Sequence, residues 1–191
     1  MKKAAQAISA ILHPFILFDI GIILFVGEHF NWQIEKLLSW GLFLVVINSV
    51  LVAFIIWGMK TRRFSNFDVS KRKQRFLLYQ VVIILALAFY LIGKAIGVSD
   101  VILKSCMVFL IFLILLEVIN TKVKASVHIA SITIVSVTLA FFYRGIFMVL
   151  PFCIPVLAWA RIYEKRHTPK EVFAGFIVGL LILIIANFII R

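Results

Sequence analysis

The sequence predicts an all-α, polytopic integral membrane bundle of six to seven transmembrane helices. Three observations carry that expectation. Hydrophobic residues fill 64% of the 191 positions, mean hydropathy is +1.14, and the apolar residues gather in seven stretches separated by short polar segments. Soluble domains are roughly 45–50% apolar. One of this size still exposes roughly a third of its unfolded surface, so a chain this apolar has nowhere to hide in water. The stretches are longer than the ~10-residue alternating segments of a membrane β-barrel and are apolar on all sides, so helices are expected.

The first stretch, Ile11–Val26, follows Met1-Lys2-Lys3 and imitates the start of a signal peptide. It contains His13, Pro14 and Asp19 and lacks a small-x-small cleavage site, so a retained helix is expected. Leu37–Met59, Phe76–Gly97, Val101–Ile119 and Ser126–Tyr143 come next, close to the ~20 residues that cross hydrocarbon. Ile146–Ala160, like the first stretch, is short for a span, and Val172–Ile190 closes the chain. Trp40, Trp57 and Trp159 fall at segment ends, where indole rings favour the interface. No repeat or long linker divides the chain, which reads as a single membrane domain over 1–191.

Twenty Lys and Arg against eight Asp and Glu give a formal charge of +12. In a membrane protein such an excess first means loops held at an anionic surface. Nucleic acid is excluded as a partner because no soluble domain exists to carry it. If the stretches are numbered one to seven, the N-terminus and the loops after the second, fourth and sixth share one side. That side holds 15 of the 20 basic residues; Lys36, Lys94, Lys104, Arg144 and Arg191 are the others. The positive-inside rule then places the rich side in the cytoplasm. Cys106 and Cys153 lie alone in apolar runs and form no metal or disulfide framework.

Three short segments on the basic side carry the residues able to do chemistry. They are Asp68-Val-Ser-Lys-Arg72-Lys-Gln-Arg75, Lys124-Ala-Ser126-Val-His128 and Arg161-Ile-Tyr-Glu-Lys-Arg-His167-Thr-Pro-Lys-Glu171. Arginine forks match phosphate oxygens bidentately and Lys adds a point charge. Histidine serves as nucleophile or general acid near neutral pH. Arg, Lys, Ser and two His without Cys or paired Asp point to phosphate-ester chemistry with no metal cage and no cofactor.

At these residues the chain resembles the type-2 phosphatidic acid phosphatase superfamily, which shares its helical core with vanadium haloperoxidases. The family's motifs are Lys-x6-Arg-Pro, Pro-Ser-Gly-His and Ser-Arg-x5-His-x3-Asp. Arg161, His167 and Glu171 reproduce the spacing of the third. Ser126 and His128 keep the Ser-x-His of the second, and Arg75 keeps the Arg of the first. Asp68 stands in place of the first motif's Lys, Phe76 of its Pro, Ala125, Val127 and Ala160 of the family's Pro, Gly and Ser, and Glu171 of its Asp. The resemblance covers about half the chain, from Asp68 to Glu171.

The resemblance implies a phosphatase-like helical core and a metal-independent lipid phosphate phosphatase. Its substrate would be a lipid phosphomonoester or diphosphate: a polyprenyl diphosphate, phosphatidic acid or phosphatidylglycerol phosphate. His167 would attack phosphorus and form a phosphohistidine, Glu171 would fix its tautomer, and His128 would protonate the leaving group. Arg161, Arg75, Lys124 and Ser126 would hold the phosphoryl oxygens. Arg72 would supply the charge lost at Asp68. An anionic-lipid binding or transport protein, or a lipid phosphotransferase, fits the same scaffold.

Each residue also has a plainer reading. Thr168-Pro169-Lys170-Glu171 reads as a capping box opening the last helix. Ser126 suits a cap of the fifth, and His128 suits a core histidine satisfied by a neighbouring helix. Arg161 suits interfacial anchoring. His13 reads as local packing, His29 as a solvated loop residue, and Glu117 as the partner of a loop arginine. Asp19 has no evident partner.

Overall fold

The computed structural model describes residues 1–190; Arg191, counted above with the minority of basic residues, lies outside them. The chain is an all-α integral membrane bundle. Six helices are long and apolar enough to cross a bilayer, and a seventh apolar helix, Val127–Tyr143, is shorter.

The expected first stretch, Ile11–Val26, corresponds to the second helix, and a separate helix precedes it. Helix α1 spans Lys2–Ile11 and α2 spans Pro14–His29. A residue preceding proline is pushed out of the helical region, and His13 sits extended at φ −69° and ψ 141°. Pro14 then opens α2 at its first position, where no N–H is needed, and the His13 ring accepts a hydrogen bond from the Phe15 N–H at 3.3 Å. Helix α1 is amphipathic and packs against α7 (Cys153–Tyr163). The Ser9 hydroxyl donates to Glu164, which places α1 beside the basic end of the bundle.

Helix α3 (Ile34–Lys60) packs on α2, and α4 (Arg72–Ala95) pairs with α5 (Asp100–Asn120). Between α3 and α4 the chain folds back so that the Phe64 ring lies against Gly58, where a Cβ would collide with it. Val69 from the same loop is fully buried. Asp19 finds a partner across the bundle, since Asn48 on α3 donates to its carboxylate at 2.8 Å.

The centre of the bundle is α6 (Val127–Tyr143) against α8 (Pro169–Ile190). Gly175 and Gly179 make a Gly-x3-Gly face on α8, and it lies against Ser126, Ala130 and Thr133. In lipid, where hydrophobicity does not drive helices together, small residues that allow close approach hold such pairs. After α6 the chain turns at Arg144 and Gly145, both at positive φ. It returns along α6 as a 3-10 segment, Gly145–Phe152, that runs into α7. A 3-10 turn rises ~2.0 Å per residue and an α-helix ~1.5 Å, so together they reach ~32 Å. Gly145–Tyr163 is therefore long enough to cross a bilayer, although the expected sixth stretch is short.

Candidate functional site

The three segments singled out in the sequence meet at one end of the bundle. Arg72 donates to the Lys122 carbonyl at 3.0 Å, and Asn120 donates to the Arg72 carbonyl at 3.0 Å. Arg75 donates to the carbonyls of Val69 at 3.1 Å and Ala125 at 2.9 Å. These bonds fasten the start of α4 to the α5–α6 loop. That loop is tied in turn to the start of α8: Lys124 donates to the Arg166 carbonyl at 2.8 Å, and the Ser126 N–H to the Glu171 carbonyl at 3.0 Å. Arg161 closes the circle with an ion pair to Asp68 at 3.0 Å.

His167 sits inside this circle with its side chain 1% exposed. Its Nδ1 lies 3.1 Å from Glu171 Oε2. A carboxylate oxygen accepts from a ring N–H in such a contact, and the ring also hydrogen-bonds the Lys124 backbone. Burial first, then the Arg75, Lys124 and Arg161 cations, push the imidazole pKa from 6.5 down to about 2. His167 is therefore neutral at pH 7, the form a nucleophile needs.

Glu171 does both things the sequence allowed. Its Oε2 accepts from the Thr168 N–H at 3.1 Å, and its own N–H donates to Thr168 Oγ1 at 3.3 Å. This is the reciprocal capping box. The same oxygen holds His167 and lies 3.6 Å from Lys124 Nζ. Burial lowers the Lys124 pKa, with Glu171 acting against it and Arg75 adding to it.

Two cavities adjoin the circle. One of about 270 Å³ is lined by Arg72, Lys122, Lys124, Thr168, Lys170 and Glu171 among others. The other, of about 480 Å³, is lined by His13, Asp68, His128, Arg161 and Glu164, with apolar walls from Phe15, Ile16 and Phe67. His167 lines neither, yet it is bonded to a wall residue of the first and feels the charge of a wall residue of the second. His128 is buried and its Nε2 has no hydrogen-bond partner. Its ring stands edge-on to His13, centroids 5.1 Å apart.

The remaining residues are placed as follows. Ser126 is fully buried, lines neither cavity, and caps α6 by accepting from the Ile129 N–H at 3.5 Å. Arg72 lies at the exposed rim of the first cavity. Arg161 is 3% exposed and flanked by two carboxylates, Asp68 and Glu164, the second at 3.7 Å. Its Nε is unpartnered. Asp68 thus engages the arginine of the third segment, and Arg72 bonds elsewhere. Glu117, expected to pair with a loop arginine, belongs to no ion pair among the described residues. His29 bonds the Ser99 hydroxyl at 3.1 Å.

Sequence reasoning missed the contribution of α1. Ser9 and His13 reach the site because the helix breaks at His13–Pro14 and α1 packs on α7, and His-Pro was the available signal. Glu164 was passed over inside the third segment, although three residues after Arg161 put it on the same helical face. Comparison of the chain with family models, with curated proteins and with solved structures returns no match.

Proposed function

We propose that the protein is a membrane-embedded, metal-independent lipid phosphate phosphatase. One observation carries the reading: a buried, neutral His167 whose Nδ1 lies 3.1 Å from the Glu171 carboxylate. Arg75, Lys124 and Arg161 surround it with positive charge suited to phosphoryl oxygens. The substrate is a lipid phosphomonoester or diphosphate, whose headgroup stays at the interface while its chains remain in the bilayer.

The chemistry runs in two steps. His167 Nε2 attacks phosphorus, the P–N bond forms and the P–O bond to the lipid breaks. His128, which takes up a proton as the anionic substrate binds beside it, gives that proton to the departing oxygen. Water then attacks the phosphohistidine, His128 takes a proton from it, and phosphate leaves as the P–N bond breaks. Glu171 keeps the imidazole in one tautomer throughout, a positioning role. The concentration of basic residues around this end supports a cytoplasmic site, and the core is read as phosphatase-like on the motif order alone.

The test is phosphate release by the purified protein from phosphatidic acid, phosphatidylglycerol phosphate and polyprenyl diphosphate vesicles, in EDTA, with His167→Ala alongside. Release that survives EDTA and falls at least ~10³-fold in the variant is expected, in the range seen when a covalent nucleophile is removed. Turnover retained by His167→Ala sinks the mechanism.

A second reading has its own support. Arg161 is already paired with Asp68 and Glu164, and the His167 side chain is 1% exposed. Both suit a protein that binds or moves an anionic lipid, or passes its phosphoryl group to a second lipid. Lipid binding without phosphate release favours the first of these, and a new phospholipid in a two-lipid mixture favours the second.

A further inference from the structure

The larger cavity contains a set of donors of which phosphoryl transfer uses only His128. One ring nitrogen of His13, one of His128 and a carboxylate oxygen of Asp68 lie within 4.8 Å of one another. They come from three places in the chain: the α1–α2 turn, the start of α6 and the α3–α4 loop. All three line the same cavity. We propose that they form a binding site for a divalent transition-metal cation, with zinc the best match.

Four observations argue for it. Two imidazoles and a carboxylate are a three-ligand set that leaves a fourth position open to solvent or substrate. His128 Nε2 is buried, partnerless and borne by a residue that lines the cavity, and a buried polar atom without a partner is rare enough to need an explanation. The charged residues of the cavity wall are two carboxylates, Asp68 and Glu164, and one guanidinium, Arg161. That balance is negative and favours a cation over a free anion. Finally, Arg161 binds Asp68 through Oδ2 at 3.0 Å, which leaves the other oxygen for the metal and fixes the carboxylate from outside, as supporting groups do in metal sites.

The geometry needs a modest contraction. Zinc–nitrogen and zinc–oxygen bonds of ~2.0–2.2 Å in a tetrahedron bring the donors to ~3.3 Å from each other. Side-chain rotation of His13, which is only partly buried, supplies that movement. Ligation through His13 Nε2 moves the ring proton to Nδ1 and gives up the 3.3 Å bond from Phe15, which is long for a hydrogen bond to nitrogen.

Metal binding has a functional consequence that rests on the phosphatase reading. A cation on His128 occupies the nitrogen that otherwise carries the proton to the leaving group. The site is thus inhibitory, and zinc and turnover exclude each other.

The test uses the full chain in detergent, stripped with EDTA and dialysed against zinc, with bound metal quantified and cobalt absorption recorded as a second probe. One zinc per chain and a tetrahedral cobalt spectrum are expected. His13→Ala and Asp68→Asn should each weaken binding by more than the ~10–100-fold that loss of a supporting group costs. Asp68→Asn strips buried Arg161 of a partner, so His13→Ala decides, and His13→Asn, which keeps an acceptor for Phe15, is the second arm if the first does not fold. Less than one zinc per chain at saturation, or unchanged affinity in both His13 variants, overturns the proposal. Stoichiometric zinc in a protein with no turnover in EDTA counts against the phosphatase and leaves the metal site standing.

Discussion

Helices α6 and α3 read alike in the sequence, and they live in opposite surroundings. Nine of the 17 residues of α6 are buried, among them His128, Ser131, Thr133 and Ser136. Helix α3 is ten residues longer and buries only Leu44, Leu51, Ile55 and Gly58, while Leu38, Leu42, Val45 and Val46 face outward. In water the more apolar face would be the inner one. In lipid the tails are as apolar as leucine, so small and hydroxyl-bearing residues mark the inside instead. The reactive groups hang from that inside pair, with Ser126 and His128 opening α6 and Glu171 opening α8.

The sharpest way to break the contrast is Gly175→Ala. A Cβ there would run into the Ser126 carbonyl oxygen, with the Ser126 nitrogen at 3.1 Å. Both are backbone atoms and neither swings aside as a side chain would. The expected cost is about 3 kcal/mol, the upper end for overpacking. The same shift disturbs the 3.0 Å bond from the Ser126 N–H to the Glu171 carbonyl, and with it the carboxylate that orients His167. Melting temperature in detergent and phosphate release should therefore fall together. A stable variant with full turnover would show that the α6–α8 contact does not position the site.

The acid dependence of stability tests the same centre from its charge. His167 has a folded-state pKa of about 2 against 6.5 for the free side chain. Below pH 6.5 the unfolded chain takes up a proton that the folded chain refuses, so this residue's contribution is complete above 6.5 and lost as pH falls toward the folded value. The slope from one such proton is about 1.4 kcal/mol per pH unit. Melting curves at pH 7.5, 6 and 5 should show His167→Gln losing less stability than the wild type over that window. Parallel curves would mean that His167 is not held neutral by its surroundings.

Much of this was legible in the sequence, for reasons that can be named. The spans were visible because lipid demands runs of ~20 apolar residues. The meeting of the Asp68–Arg75, Lys124–His128 and Arg161–Glu171 segments followed from parity, since alternate loops share a side. The dual role of Glu171 was readable because a capping box and the third motif place a carboxylate at one position. What stayed hidden depended on side-chain partners. That Asp68 clasps Arg161 and that His13 faces His128 are facts of packing between segments far apart in the chain, whereas the Ser126 cap of α6 was readable. The separate helix before Pro14 was signalled by a single dipeptide, and the 3-10 segment by nothing more than an apolar run that looked too short.

The smallest expected effect is the counterpart of the first. Gly41 lies on α3, where a Cβ would meet nothing within 4 Å. Replacing a helix-interior glycine with alanine removes backbone freedom from the unfolded chain and restores helix propensity, worth roughly 0.5–1 kcal/mol. Gly41→Ala should therefore raise the melting temperature slightly and leave phosphate release unchanged, since α3 makes no hydrogen bond to His167, Glu171 or Lys124. The pair of substitutions is chemically identical and differs only in which face receives the methyl group. A loss of stability at Gly41 would mean that something other than lipid covers this face of α3, and the division into an inner pair and an outer helix would have to be redrawn.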